Sequence, residues 1–295
     1  MASASTFKDP VILPLQHDRR KPIARPSSPP EPALSSAPAE PLSKRKQFLA
    51  TRYLPSTLQH IRSSGLGENR WPVDKPENHT FLYPRPGQQP LEFLAAAKKS
   101  TSFWPNEGKL PEIAVIGRSN VGKSRLLNVT FGTSVVRVKD KPGLTQSINW
   151  YRAAKPLAAL VVDMPGYGFA FAKEQLKADW DQLLLDFLAR DTLVRLFVLV
   201  DARHGIKVND IEFLEKLKGM HHFRLTIVMT KCDLVRMEIL ARQHRLVCDK
   251  VQEMLGTPAD EVLMVSSRTG AGIVNLRQSI LQHVKSLAPR PASDS

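Results

Sequence analysis

Two cysteines in 295 residues, Cys232 and Cys248, are too few for a disulfide framework, and a reducing compartment is the default for such a chain. No apolar run approaches the roughly 18 residues of a membrane span; the longest, such as Leu196 to Val200, have the length of a strand. Acidic residues are scarce, 28 against 42 Lys and Arg, which leaves a net charge of +14. The excess is shared evenly between residues 1–110 and 111–295, so it is not the property of a tail. Such a balance favours polyanionic partners, either nucleic acid or an anionic membrane surface, although import into an organelle also selects basic chains. His204, His221 and His222 have no Cys, Asp or Glu at metal-ligand spacing and read as surface or capping residues.

Aromatic residues are almost missing from residues 1–42, where RPSSPPEPALSSAPAEP dominates. That composition cannot bury enough apolar surface to offset the entropy of ordering, so residues 1–45 are expected to be disordered. The first residues are either an organellar presequence or a plain tail. Asp9, Asp18, Glu31, Glu40 and the prolines count against the former. Residues 46–90 form a basic extension. SKRKQFLATRYLPSTLQHIRSSG fits a basic amphipathic helix, a processed targeting segment or a partner-binding arm, and residues 66–90, with Trp71, Phe81 and Tyr83, fit extended chain packed on a surface.

From Leu91 the pattern becomes regular. The runs IAVIG, LAALVVD, RLFVLVD, RLTIVMT and VLMVSS alternate with helical segments. The clearest helix spans Ala172 to Arg190 with Leu176, Trp180, Leu183, Leu184 and Phe187 on one face, a core face. Strands apolar on both faces, alternating with helices, predict an α/β fold whose ligands bind at the carboxyl ends of the strands. Residues 91–288 are the expected folded domain and 289–295 a disordered tail.

One segment defines the chemistry. GRSNVGKS, residues 117–124, follows the strand IAVI and precedes the helical SRLLNVTF, the context that G-x-x-x-x-G-K-[ST] demands. Gly117 and Gly122 let the backbone wrap a phosphate so that successive amides, from Arg118, Ser119, Asn120 and Val121 onward, point inward at a helix N-terminus. Lys123 reaches the β- and γ-phosphates and the Ser124 hydroxyl binds Mg²⁺. Forty residues on, VVDMPGYG ends a strand with Asp163, Met164, Pro165 and Gly166. There Asp163 would hold Mg²⁺ through water and the Gly166 amide would sense the γ-phosphate. TKCD, Thr230, Lys231, Cys232 and Asp233, closes a third strand. Asp233 would accept from the N1–H and exocyclic amine of guanine, groups that adenine cannot offer. Lys231 lays its stem along the base and braces the phosphate loop. Ser266, Ser267 and Arg268 would offer amides to the guanine carbonyl. In DKPGLTQSINWY, Gly143, Leu144, Thr145, Gln146 and Ser147 form a loop whose Thr145 would complete the Mg²⁺ shell.

GRSNVGKS, KPGLTQSINWY, VDMPGYGFA, DARHG at Asp201 to Gly205 and TKCD together resemble the EngB (YihA) family of ribosome-assembly GTPases, over about Leu91 to Val284. The resemblance implies one Ras-like P-loop G domain with a mostly parallel six-stranded sheet and helices on both faces. It also implies a monomer that binds GTP or GDP and acts on ribosomal RNA or a large-subunit precursor. Two departures stand out: Leu144 where the family carries Arg or Lys, and the N-terminal extension, absent from compact bacterial forms. The extension points to a eukaryotic organellar member, in the mitochondrial matrix first and in a plastid or the cytoplasm otherwise.

Hydrolysis needs positioning, metal charge and a group that orients water. Lys123, Thr145 and Gly166 are the expected catalytic set, but Tyr167 stands where Ras-like enzymes carry a glutamine. Slow turnover is therefore expected, stimulated by the ribosomal particle or by potassium. Asn120 either helps bind K⁺ or simply braces its loop. Arg118 is a candidate internal finger, though a solvated or RNA-facing arginine is the stronger expectation. Cys232 lies in the base-binding turn, where oxidation would impair binding. Arg137, Lys139 and Lys141, just before Thr145, are candidates for RNA contact. Two rival functions remain open at this point, a P-loop kinase or ATPase and a GTP-binding scaffold with little hydrolysis.

Overall fold

The structure is a computed structural model that describes residues 43–68, 89–137, 147–154, 157–168 and 174–287. Its framework is one sheet of seven strands in the order β1-β3-β4-β2-β5-β6-β7. The strands are β1 (Leu91–Ala97), β2 (Glu112–Gly117), β3 (Ile148–Ala153), β4 (Leu160–Asp163), β5 (Leu193–Asp201), β6 (Arg224–Thr230) and β7 (Glu261–Met264). The last five positions, β4-β2-β5-β6-β7, are parallel; β3 runs antiparallel to both β4 and β1. Seven strands replace the six expected. The additional edge strand, LEFLAAA, consists of good helix formers, and pairing with β3 overrides that local preference.

Among the described residues there are seven helices: α1 (Lys44–Ala50), α2 (Pro55–Ser63), α3 (Lys123–Phe131), α4 (Glu174–Leu188), α5 (Val208–Lys216), α6 (Met237–Leu255) and α7 (Ile273–Leu287). Successive residues of a strand face opposite sides, and each side has its own core. Ile113 and Val115 of β2 join Phe197, Leu199 and Val228 under α3 and α7. Ala114 and Ile116 join Leu196, Val198, Ile227 and Met229 under α2, α4, α5 and α6. Hence the uniformly apolar strands that the sequence displays. On α4, Leu183, Leu184 and Phe187 are buried and Trp180 packs against the same core; the side chain of Leu176 lies outside the described set. No helix among the described residues is long and apolar enough to cross a membrane.

At the amino end of β2 the buried Glu112 carboxylate accepts from Arg190 Nε at 2.8 Å and Nη2 at 2.9 Å, and from Trp150 Nε1 at 3.4 Å. This network ties β2, β3 and the end of α4 together below the strand whose other end opens into the phosphate loop.

Candidate functional site

The carboxyl ends of β2, β4, β5 and β6 converge on residues 117–124. Gly122 sits at φ 101°, ψ 18°, a left-handed conformation that glycine enters without strain, and it starts α3 so that the free amides of the first turn are offered to the loop. Asn120 is exposed at φ 61°, and asparagine is among the few other residues that tolerate that region. From β6, Thr230 Oγ1 donates to the Val121 carbonyl at 2.7 Å. Lys231 Nζ donates to the Asn120 carbonyl at 2.5 Å and to Asp201 Oδ2 at 3.0 Å. The base-reading turn and the phosphate loop are thus bolted together through one lysine.

Asp201, at the end of β5, anchors that lysine. Burial by itself raises its pKa, but hydrogen bonds from Arg203 and Lys231 outweigh burial and bring it down to about 2. The sequence marks the position only as the first residue of DARHG. A carboxylate ending an apolar strand beside TKCD is the signal that could have identified it.

Lys123 and Asp163 are both buried and form a short ion pair. Ser124, the next residue along, is half-buried. Its hydroxyl and the Asp163 carboxylate are hard oxygen donors suited to Mg²⁺. Among the described residues no group of three His, Cys, Asp or Glu could hold a metal by itself. A cation at this corner would need ligands beyond these two, phosphate oxygens and water among them. Met164 is buried beside Asp163 and its amide donates to the Val115 carbonyl at 3.1 Å. Pro165 is buried, and a side chain at Gly166 would meet the Ser119 amide at 3.0 Å, so the D-x-x-G turn lies flush on the phosphate loop.

The Tyr167 backbone pairs with the phosphate loop at Arg118, while its side chain reaches α5. Its ring is 4% exposed and stacks on Phe213 of α5 at 4.8 Å, and its hydroxyl donates to Asp210 Oδ1 at 2.8 Å. Burial, then the charge of Asp210, holds the phenol well above its ordinary pKa. Arg118 joins the same carboxylate, Nε to Oδ2 at 3.0 Å, and Asp210 also accepts from the Lys207 amide at 2.8 Å. The solvated or RNA-facing Arg118 expected from the sequence is corrected: the buried Asp210 holds its guanidinium. The local text marks Asp210 only as the acidic residue in the first turn of α5, bonded to the Lys207 amide; its side-chain partners lie 43 and 92 residues away.

Asp233 lies in a single 3-10 turn, Cys232–Leu234. Ser266 Oγ donates to Asp233 Oδ1 at 2.7 Å and itself receives the amides of Arg268 at 3.2 Å and Thr269 at 3.1 Å. The Ser266 amide goes to the Ala271 carbonyl at 2.9 Å. Of the three residues expected to offer amides to a base, Ser267 is left with that group uncommitted among the described residues. Cys232 is fully buried, its thiol donates to the Met229 carbonyl at 3.2 Å, and burial pushes its pKa far up, so it is shielded from oxidants.

Ser147 Oγ donates to Asn149 Oδ1 at 3.1 Å beside the end of β4. Gly143, Leu144, Thr145 and Gln146 lie outside the described residues, as do Lys139 and Lys141; Arg137 is exposed. At the far end of α3, Arg277 of α7 donates to the carbonyls of Thr130 at 2.8 Å and Val129 at 3.0 Å, a cap that the sequence does not signal.

Residues 112–231 match the family model described as 50S ribosome-binding GTPase. The protein from Sinorhizobium fredii called "Probable GTP-binding protein EngB" is 44% identical over 200 residues, 63% of this chain and 88% of the relative. Its namesake from Chelativorans sp. is 36% identical over 222 residues, 72% of this chain and 93% of the relative. Among solved structures, Era in complex with MgGDPNP and a segment of 16S ribosomal RNA superposes with a TM-score of 0.50 at 22% identity, over 63% of this chain and 60% of that one. That likeness identifies the fold as the Ras-like P-loop G domain. Identity of this order across nearly the whole of its relatives makes the chain a member of the EngB family of P-loop GTPases.

Proposed function

We propose that the protein is a GTP-dependent assembly factor for a large ribosomal subunit. The observation that carries the nucleotide half is Lys231, which links the turn bearing Asp233 to the phosphate loop. A single ligand spanning both ends would be a guanosine phosphate. The ribosomal half is supported by the match of residues 112–231 to a 50S ribosome-binding family model, by the complex of the similar protein Era with 16S ribosomal RNA, and by the charge of +14.

In this proposal the amides of residues 118–124 hold the β-phosphate, and Lys123 exchanges Asp163 for the β- and γ-phosphates. Ser124, Asp163 and Thr145 would hold Mg²⁺, which supplies charge neutralisation on the phosphate oxygens when bound. The Gly166 amide senses the γ-phosphate. The described site offers no side chain to orient water, because Tyr167 is committed to Asp210. Intrinsic hydrolysis is accordingly slow, with the ribosomal particle as stimulant. Potassium near Asn120 is a further stimulant in this proposal; replacing K⁺ with Na⁺ lowers turnover, and Asn120→Ala removes the difference. The commitment of Tyr167 also favours a second function, a GTP-binding scaffold with little hydrolysis. Single-turnover hydrolysis in the presence of particles separates the two. The basic N-terminal extension supports residence in the mitochondrial matrix, to be tested by imaging the tagged full chain.

Sedimentation of the tagged protein with GTP, GDP or a non-hydrolysable analogue tests the central proposal. Co-sedimentation with large-subunit particles that is stronger with the analogue than with GDP is expected. Absence from the particle fractions in all three states would overturn it.

A further inference from the structure

The N-terminal extension is docked on the turn that carries Asp233. Ile61 and Leu66 are fully buried in the same core cluster as Cys232, Val235 and Leu240. α2 packs along α6, and Arg242 of α6 stands over the Tyr53 ring at 5.1 Å from its centroid. The contact closes at residues 66–68: the Leu66 amide donates to the Ile61 carbonyl at 3.0 Å, and the Glu68 amide donates to the Val235 carbonyl at 2.8 Å. Gly67, at φ 104°, lies directly on the junction between the 3-10 turn and α6. A Cβ there would stand 2.7 Å from Met237 Cγ and 3.6 Å from the Val235 carbonyl oxygen.

That junction needs an external hold. α6 begins at Arg236 with no side-chain cap, so the step from Val235 into the helix lacks the local bond that usually fixes such a start. On its inner side the turn is pinned by Ser266 on Asp233 and by the Cys232 amide on the Val265 carbonyl at 3.2 Å. On its outer side the Glu68 amide holds the Val235 carbonyl. Moving the extension would strip that bond from Val235, two residues after Asp233, and would uncover the core beneath it.

We propose that residues 53–68, which precede the family-model match, form a clamp that positions Asp233 and so sets how strictly guanine is recognised. The proposal rests on Asp233 as the base reader and adds a positioning role for Gly67, Leu66 and Tyr53. A carboxylate reads two donors on one base edge only within narrow limits of distance and angle. A loosened turn weakens that recognition most at the base, while Lys123 and α3 still hold the phosphate end.

The test compares the Kd of GTP with that of inosine triphosphate, which lacks the exocyclic amine and keeps everything else. Full-length wild-type protein is expected to bind the inosine nucleotide about tenfold or more weakly, the value of one hydrogen bond to a carboxylate. In Gly67→Val, and separately in Tyr53→Ala, the ratio of the two constants is expected to fall at least threefold. Ile280→Val, a destabilising change in the opposite core, reports the effect of stability alone and leaves the ratio at its wild-type value. An unchanged ratio in both clamp variants, whether GTP affinity holds or both constants rise in parallel, overturns the clamp. A wild-type ratio near one overturns the base-reading role of Asp233 and the clamp with it.

Discussion

Replacing Tyr167 by phenylalanine isolates the phenol that occupies the place of a catalytic glutamine. The hydroxyl makes a buried hydrogen bond to a carboxylate at 2.8 Å, a class of interaction that contributes about 1.5–3 kcal/mol. The low end applies here, because Asp210 keeps both Arg118 and the Lys207 amide and is not orphaned, and the ring keeps its stack on Phe213. A loss of about 1.5 kcal/mol corresponds to a fall in Tm of roughly 3–6 °C for a domain of this size. Asp210→Asn is expected to cost more, about 3 kcal/mol, since it leaves the Arg118 guanidinium without its counter-charge. The kinetic expectation is the opposite. If the phenol serves only to tie the D-x-x-G turn to α5, kcat for GTP in Tyr167→Phe stays within about twofold of wild type, a barrier change under ~0.5 kcal/mol. Thermal unfolding and steady-state phosphate release on the same samples give both numbers. A tenfold fall in kcat with an unchanged Tm would refute the reasoning, because the hydroxyl would then be acting at the phosphate.

Three further outcomes are expected. Asp233→Asn should weaken GTP by about two orders of magnitude or more and favour xanthosine triphosphate, whose 2-carbonyl accepts from the new amide; unchanged GTP affinity by titration calorimetry would remove Asp233 from the site. Asp201, held near a pKa of about 2 against an ordinary value of 3.8, contributes stability that is complete above about pH 4 and is lost as the pH falls through 2. The amount is about 2 kcal/mol, and urea unfolding between pH 5 and 2 should show that segment of the curve flattened in Asp201→Asn. Glu112→Ala strands Arg190 and the Trp150 indole, and should cost about 3–5 kcal/mol in urea unfolding while a stably folded fraction still binds GTP with wild-type affinity.

The central strands and the three nucleotide motifs were legible in the sequence because their signals are local. An apolar run, a glycine-spaced loop and a helix start are written within one stretch of chain, and β2, residues 117–124 and α3 follow that order in the structure. The edge strand β1 was not legible, since Leu, Glu and Ala favour a helix and only pairing with β3 decides otherwise. The surroundings of the site were harder still. The side chains that meet on Asp210 lie 43 and 92 positions away, and the arginine on Glu112 lies 78 away, so no periodicity or spacing announces those pairings. The docking of residues 53–68 on α6 belongs to the same class: the basic, loosely amphipathic text predicts a helix but not the surface that receives it.

The cap that Arg277 places on α3 bears on the order of events during synthesis. The helix that follows the phosphate loop ends at Phe131; Gly132 caps the Asn128 carbonyl locally, but the Val129 and Thr130 carbonyls are satisfied by the Arg277 side chain, 147 residues after Thr130, and Ile273, Leu276, Ile280 and Leu281 roof the core beneath it. While the chain is still being translated, the emerging segment 112–132 has its loop sequence and its glycine cap but neither the Arg277 contacts nor its roof. The nucleotide site therefore matures only after α7 has left the ribosome. A nascent chain arrested before residue 273 should be unable to retain GTP.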